Sequence, residues 1–116
     1  MSIQERIISI LVPLKIPIHV AMNPEKSKDS FLVLIPLSDH LVGYGDNQPS
    51  STIEELEIAL YTKGNYLELR EQITKLLLQA DITITDRRYI EYEPQTKYHH
   101  YVIDCTMVNF LCQEGR

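Results

Sequence analysis

Ser38, Asp39 and His40 are the residue types of a hydrolytic triad, set side by side. A triad needs members that converge from separate elements, so adjacency cannot supply its geometry, and no Gly-x-Ser-x-Gly elbow occurs in the chain. An Asx-type turn is the better reading of these three residues. His19, His40, His99 and His100 are candidate metal ligands, but no His-x-x-x-His or Cys-x-x-Cys spacing connects them. His99 and His100, as neighbours on a strand, face opposite ways. Gly43-Tyr44-Gly45 is too short for a phosphate loop, and no Gly-Lys-Ser/Thr follows it. The expectation is a protein with no catalytic residue, no metal and no cofactor.

Two further groups carry charge in a pattern. Arg87-Arg88-Tyr89 and Lys97-Tyr98-His99-His100-Tyr101 interleave basic and aromatic residues across a hairpin, the composition of a platform for single-stranded nucleic acid. Asp86, Glu91 and Glu93 share that hairpin, and tyrosine with arginine is equally the chemistry of a protein interface, which is the reading preferred here. Glu54, Glu55 and Glu57 form an acidic cluster that would discourage wrong strand pairing.

The elements that must position these residues centre on 53–80. From Ile53 to Thr62, Leu56, Ile58 and Leu60 alternate with Glu55, Glu57, Ala59 and Tyr61, the period of a strand with one buried face. Gly64 permits a sharp turn, and Asn65 stands three residues before Glu68 as an N-cap. The helix that follows carries Tyr66, Leu69, Ile73, Leu76, Leu77 and Ala80 on one face. A first helix opens with a Ser2–Glu5 capping box and buries Ile3, Ile7, Ile10, Leu11 and Leu14, widened by Ile8 and Val12, until Pro13 and Pro17 end it. It lacks the basic polar face of a membrane-surface anchor.

Residues 16–22 read as a short extended piece, residues 23–30 as a polar turn, and Phe31 to Pro36 as a central strand that Pro36 terminates. Residues 38–51 read as one long loop, functional or mobile. Strands at 81–92 and 99–111 form a hairpin about a Glu93–Thr96 turn. On the second, Val102, Val108 and Phe110 share one face; Tyr101, Ile103, Cys105, Met107 and Leu111 share the other. The fold class is α+β: a two-layer sandwich with a four- to five-stranded, mostly antiparallel sheet and two helices packed on one face. The second sheet face would then show Tyr61, Ala59 and one side of two strands, an apolar area that favours self-association.

A chain of 116 residues is one domain, 1–116, able to bury roughly two-thirds of its unfolded surface. The net charge of -5 works against tight gripping of a phosphate backbone. Cys105 and Cys112 lie seven apart, on opposite faces of one strand, so they cannot bridge each other there and read as reduced thiols of a soluble, intracellular protein. No apolar run approaches the ~20 residues of a membrane helix.

The segment Glu57-Ile-Ala-Leu-Tyr-Thr-Lys-Gly-Asn65 resembles the small tail-completion and tail-terminator proteins of long-tailed bacteriophages and prophages. The likeness extends through Ile16-Pro-Ile-His19, the strand at 31–36, the Gly43–Asp46 loop, the helix at 66–78, Tyr89–Tyr92 and the closing strand at 98–110. It implies a structural virion protein, made in the bacterial cytoplasm, that forms a ring, commonly hexameric, at the head-proximal end of the tail. Its expected partners are further copies of itself, the tail tube protein and a head-completion or neck protein, with DNA passing through without specific binding and no membrane involved. On that picture Tyr44, Asp46, Tyr61, Arg87, Arg88 and Tyr101 are expected at subunit or tail and neck interfaces, and Glu55 and Glu57 face the channel. A neck adaptor on the portal side and a small single-stranded nucleic-acid binder are the alternatives.

Overall fold

The structure is a computed structural model and describes residues 2–21 and 29–110. Helix α1 (Ile3–Leu11) starts where the Ser2 hydroxyl accepts from the Glu5 amide while the Glu5 carboxylate accepts from the Ser2 amide, so both halves of the capping box form. Pro13 does not stop the chain outright. It sits in a 3-10 turn at Val12–Leu14, and Lys15 in the left-handed region closes it. Ile3, Ile7 and Leu11 are buried, whereas Val12 faces solvent instead of widening the apolar face.

Strand β1 (Ile18–Val20) lies parallel to β2 (Ser30–Val42); β2 pairs antiparallel with β3 (Ser51–Thr62). Helix α2 (Tyr66–Gln79) follows across the Lys63–Gly64 turn, its first turn capped by the Asn65 side chain accepting from the Glu68 amide. Strands β4 (Thr83–Glu93) and β5 (Tyr98–Phe110) form the closing hairpin, giving a five-stranded mixed sheet of order β1-β2-β3-β5-β4. Both helices cover one face. Ile73 and Leu77 of α2 and the α1 isoleucines pack on Leu32, Leu34, Leu56, Ile58, Leu60 and Ile103, with Tyr66, Leu69, Leu76 and Ala80 at the margin. The fold is the α+β sandwich that the periodicities predict.

Two expectations fail, for related reasons. Pro36 does not end its strand: β2 shifts register between Pro36 and Ser38 and continues to Val42. β1 stops opposite Leu34, so among the described residues β2 has no outer partner at Pro36, and a proline is tolerated at an edge or a bulge. Consequently residues 38–51 are not one long loop. They supply the end of β2 and the start of β3, joined by a tip at 43–50. Inside the tip, Gly45 and Gln48 exchange two backbone hydrogen bonds of 2.8 Å around Asp46 and Asn47, both at positive φ. That is the two-residue primed turn that matches strand twist. Gly43 is also left-handed, at φ 70°, where a Cβ would meet the Ser50 hydroxyl.

These strand ends make an arm. Among the described residues, nothing pairs with the outer side of β2 beyond Leu34 or of β5 beyond Thr106, and β2, β3 and β5 run on there as three strands. The radius of gyration is 16.1 Å, against about 13 Å for a compact chain of this length. The long axis reaches 55 Å.

The helix-free face also departs from expectation. Phe31, Val33, Ala59, Tyr98 and Val102 on it are buried, not open. The Phe31 ring stacks on Tyr61 with centroids 4.8 Å apart, Tyr61 stacks on His100 at 4.2 Å, and Tyr98 stands edge-on to Phe31 at 5.3 Å. Rings laid along a sheet hide the small residues between them. Exposed large apolar side chains stand on the arm, at Leu37, Leu41, Tyr44, Val108 and Phe110, with Phe110 the most exposed at 84%. Others stand along β4 at Tyr89, Ile90 and Tyr92 and at Val12, Leu67 and Leu78.

Candidate functional site

Strand register places each charged candidate. On the helix-free face, Glu57 of β3 lies beside Asp104 of β5, which lies beside Asp86 of β4. Arg88 reaches across this row: its guanidinium stands 2.7 Å from Asp86, 2.9 Å from Asp104 and 3.5 Å from Glu57. Those bonds push the guanidinium pKa further up, first through Asp104 and then Asp86. Burial raises the Glu57 carboxyl above its ordinary value and the Asp104 charge adds to the rise, while Arg88 opposes it. One cation thus holds three carboxylates across three strands.

This arrangement sets a pH dependence. A carboxyl with a raised folded pKa favours folding while protonated, and that contribution is lost as pH rises through the folded value. Arg88→Met removes the opposing cation and should widen this window upward. The variant should unfold at lower urea than the parent at pH 7, and the gap should close as pH falls below about 4, where carboxyls are protonated. A gap that persists unchanged in acid would assign Arg88 a packing role through its aliphatic stem instead.

Arg87 points to the other face, where it meets Glu71 at 3.2 Å and the Thr74 hydroxyl at 3.3 Å on α2. Both arginines of the hairpin are therefore tied to carboxylates, which leaves little free positive charge for a phosphate backbone. Tyr89 and Tyr92 surround His99 on this side, with the Tyr89 hydroxyl 2.9 Å from His99 Nδ1 and Tyr66 of α2 completing the group. His100 lies on the opposite face against Tyr61, as alternation requires.

At the base of the arm, Glu55 accepts from the Ser38 hydroxyl at 2.5 Å and lies 3.6 Å from His40 Nε2. A carboxylate standing between the hydroxyl and the imidazole inverts the order a triad needs, and Asp39 lies on the other face opposite Glu54. The acidic trio likewise divides: Glu54 faces the helix side with Asn109 donating to it, while Glu55 and Glu57 face away. Among the described residues no group of His, Cys, Asp and Glu could hold a metal ion, and no helix is long and apolar enough to cross a membrane. Cys105 is buried, and burial pushes its thiol up to about 12. Cys112 and Leu111 lie outside the described residues.

Of the expected interface residues, Tyr44 projects from the arm tip, 63% exposed. Asp46 occupies the primed turn and is explained by backbone conformation alone. Tyr61 is half-buried in the ring stack, and burial raises its phenol. Tyr101 is corrected most firmly: it is 5% exposed, on the helix-covered face beneath Tyr66 and 5.8 Å from the Arg70 guanidinium. Arg87, Arg88, Glu55 and Glu57 are surface residues in three separate places, so the set does not form one site. Asp86 was marked only as an acidic neighbour in the hairpin, and Asp104 and the apolar arm went unmarked in the sequence, although the shared face of Val108 and Phe110 was the available signal.

No protein-family model matches this chain, and no curated protein matches it. The functional reading therefore draws on the geometry and on the resemblance of the Glu57–Asn65 segment.

Proposed function

We propose that this chain is a structural virion subunit that assembles into a ring at the head-proximal end of a phage tail tube. There it ends tube polymerisation and joins tail to head. The observation that carries the reading is the arm: a three-stranded extension beyond the helix layer with Leu41, Val108 and Phe110 in the open. Exposed apolar side chains grouped on an extension serve contact with other molecules. The segment resembling tail terminators supports the ring, the tail tube protein and the neck protein as partners. Glu55, Glu57 and Asp104 share one face, which in a ring turned that way would repel a DNA backbone and let it pass.

The test is electron microscopy of tails assembled with and without the protein. Tubes of controlled length that join heads only in its presence are the expected result. Tubes of normal length lacking only the join would transfer the protein to the neck, and no difference at all would overturn both placements.

A further inference from the structure

Phe110 stands at the end of β5 on the helix-free face, the most exposed large apolar side chain among the described residues. Neither helix of its own subunit can cover it, since both pack on the other side of the sheet. A surface that could take it lies on the outer side of the helix layer. There a groove of about 500 Å³ runs between the Val12–Leu14 turn and α2, lined by Pro13, Leu14, Gln72, Lys75, Leu76 and Gln79. Leu14 and Leu76 also pack against the core, which fixes the groove's apolar floor. Val12, next to Pro13, and Leu78, one helical turn from Lys75, are each more than half exposed and extend its apolar margin. Apolar side chains left in water around a groove mark a docking surface.

Charge divides between the same two places. Residues 36–55 and 106–110, which make up the arm, contain Asp39, Asp46, Glu54 and Glu55 and no lysine or arginine. The groove has Lys75 as its one charged lining residue, and Lys15 follows Leu14. Both lysines are exposed, and neither forms an ion pair among the described residues. Glu71, one turn before Lys75, is taken by Arg70 and Arg87 instead.

We propose that the arm of one copy lies across the helix layer of the next and seats Phe110 in this groove, with Lys15 and Lys75 facing the arm's carboxylates. This deepens the ring reading and rests on it for closure into a circle, though not for the contact itself. Knob and groove stand on opposite sides of one subunit, so no chain can satisfy itself. A contact between unlike surfaces repeats from copy to copy, and closes or runs on according to its rotation. It adds no strand to the sheet, so β1 and β4 keep their places in both copies. Opposite charge on arm and groove steers the encounter and sets its orientation. The placement also agrees with an acidic lumen. With the helix-free face turned inward the helices face outward, and an arm continuing along the tangent passes outside the next copy with Phe110 pointing in. Val108, on the same face, follows it onto the helices, while Glu57 and Asp104 in the body keep facing the lumen.

Because the two halves of the contact differ, each can be removed in a different molecule of the full chain. Phe110→Asp removes the knob and keeps the groove. Gln79→Trp, at an exposed position in the last turn of α2, fills the groove and keeps the knob, and Gln72→Trp is a second filling. Each variant alone should melt like the parent and associate roughly 10- to 100-fold more weakly by sedimentation, since one large side chain loses its burial. Mixed in equal amounts, a knobless and a filled variant should form a one-to-one pair that goes no further, the filled copy lending its arm and the knobless copy its groove. A mixture that stays monomeric would overturn the contact. A parent that is monomeric at the highest soluble concentration would overturn it too, leaving Phe110 for the tail tube protein. Parent circles that survive both fillings would remove the contact and keep the ring. Pairing of the mixture, with a parent that forms open chains or a reciprocal dimer, would uphold the contact and sink the ring.

Discussion

Val108→Asp combined with Phe110→Asp should convert the assembled protein to monomers while leaving thermal unfolding of the subunit unchanged. Val108 and Phe110 lie on the helix-free face of the arm, and Phe110 is 84% exposed. Val108 is 48% exposed, so a lone subunit loses little buried contact, and substitutions at such positions stay within about 0.5 kcal/mol each. Assembly is another matter. Burying an aliphatic or aromatic side chain of this size contributes about 1.5–3 kcal/mol, so two of them supply ~3–6 kcal/mol per contact. Their loss weakens association by roughly two to four powers of ten, since each 1.4 kcal/mol is tenfold. Two carboxylates brought against the next copy add desolvation on top. Sedimentation or native mass reads the assembly and a melting curve reads the subunit. Retained assembly would remove the arm from the interface; a lowered melting temperature would show that the arm is part of the subunit's own core.

The body of the fold was legible because its signals are local. Ser2 with Glu5 and Asn65 with Glu68 mark helix starts by capping chemistry, and Leu56, Ile58 and Leu60 mark a half-buried strand by alternation. The arm was not legible, for a physical reason. Where no helix covers the sheet, neither face demands apolar residues, so Ser38-Asp39-His40 carries no alternation and reads as loop although it is strand. Pro36 misled in the same way: its meaning depends on whether a neighbour lies beyond it, which the sequence does not state. Tyr101 shows the converse. An aromatic residue next to two histidines looks like surface chemistry, yet alternation along β5 turns it under α2. The carboxylate row under Arg88 is a product of register across three strands, and register is set by pairing partners far apart in sequence.

The second large effect is expected at Phe31, where the sequence pointed to an open surface and the structure closes it. Phe31 is 1% exposed, stacked on Tyr61 at 4.8 Å and met edge-on by Tyr98 at 5.3 Å. Phe31→Ala should cost about 3–5 kcal/mol through lost transfer free energy and the cavity left among the rings. That is a large part of the ~5–15 kcal/mol that holds a domain folded, and it lowers the melting temperature by roughly 10–25 °C. The comparison to make is with Phe110→Ala, an equal truncation on the same sheet face, which should leave subunit melting where it was. Melting is measured in the Val108→Asp, Phe110→Asp background for Phe31→Ala and in Val108→Asp for Phe110→Ala, so that assembly does not contribute stability by mass action. Association of Phe31→Ala is read separately in the otherwise unchanged chain. If Phe31→Ala proved harmless in the monomer yet abolished assembly, the ring cluster would belong to the contact between copies and the arm would not be the principal interface. If it destabilises the monomer and leaves association of the surviving folded fraction intact, the helix-free face is divided by function: its ring-covered end holds the subunit together, and its far end is left for other molecules.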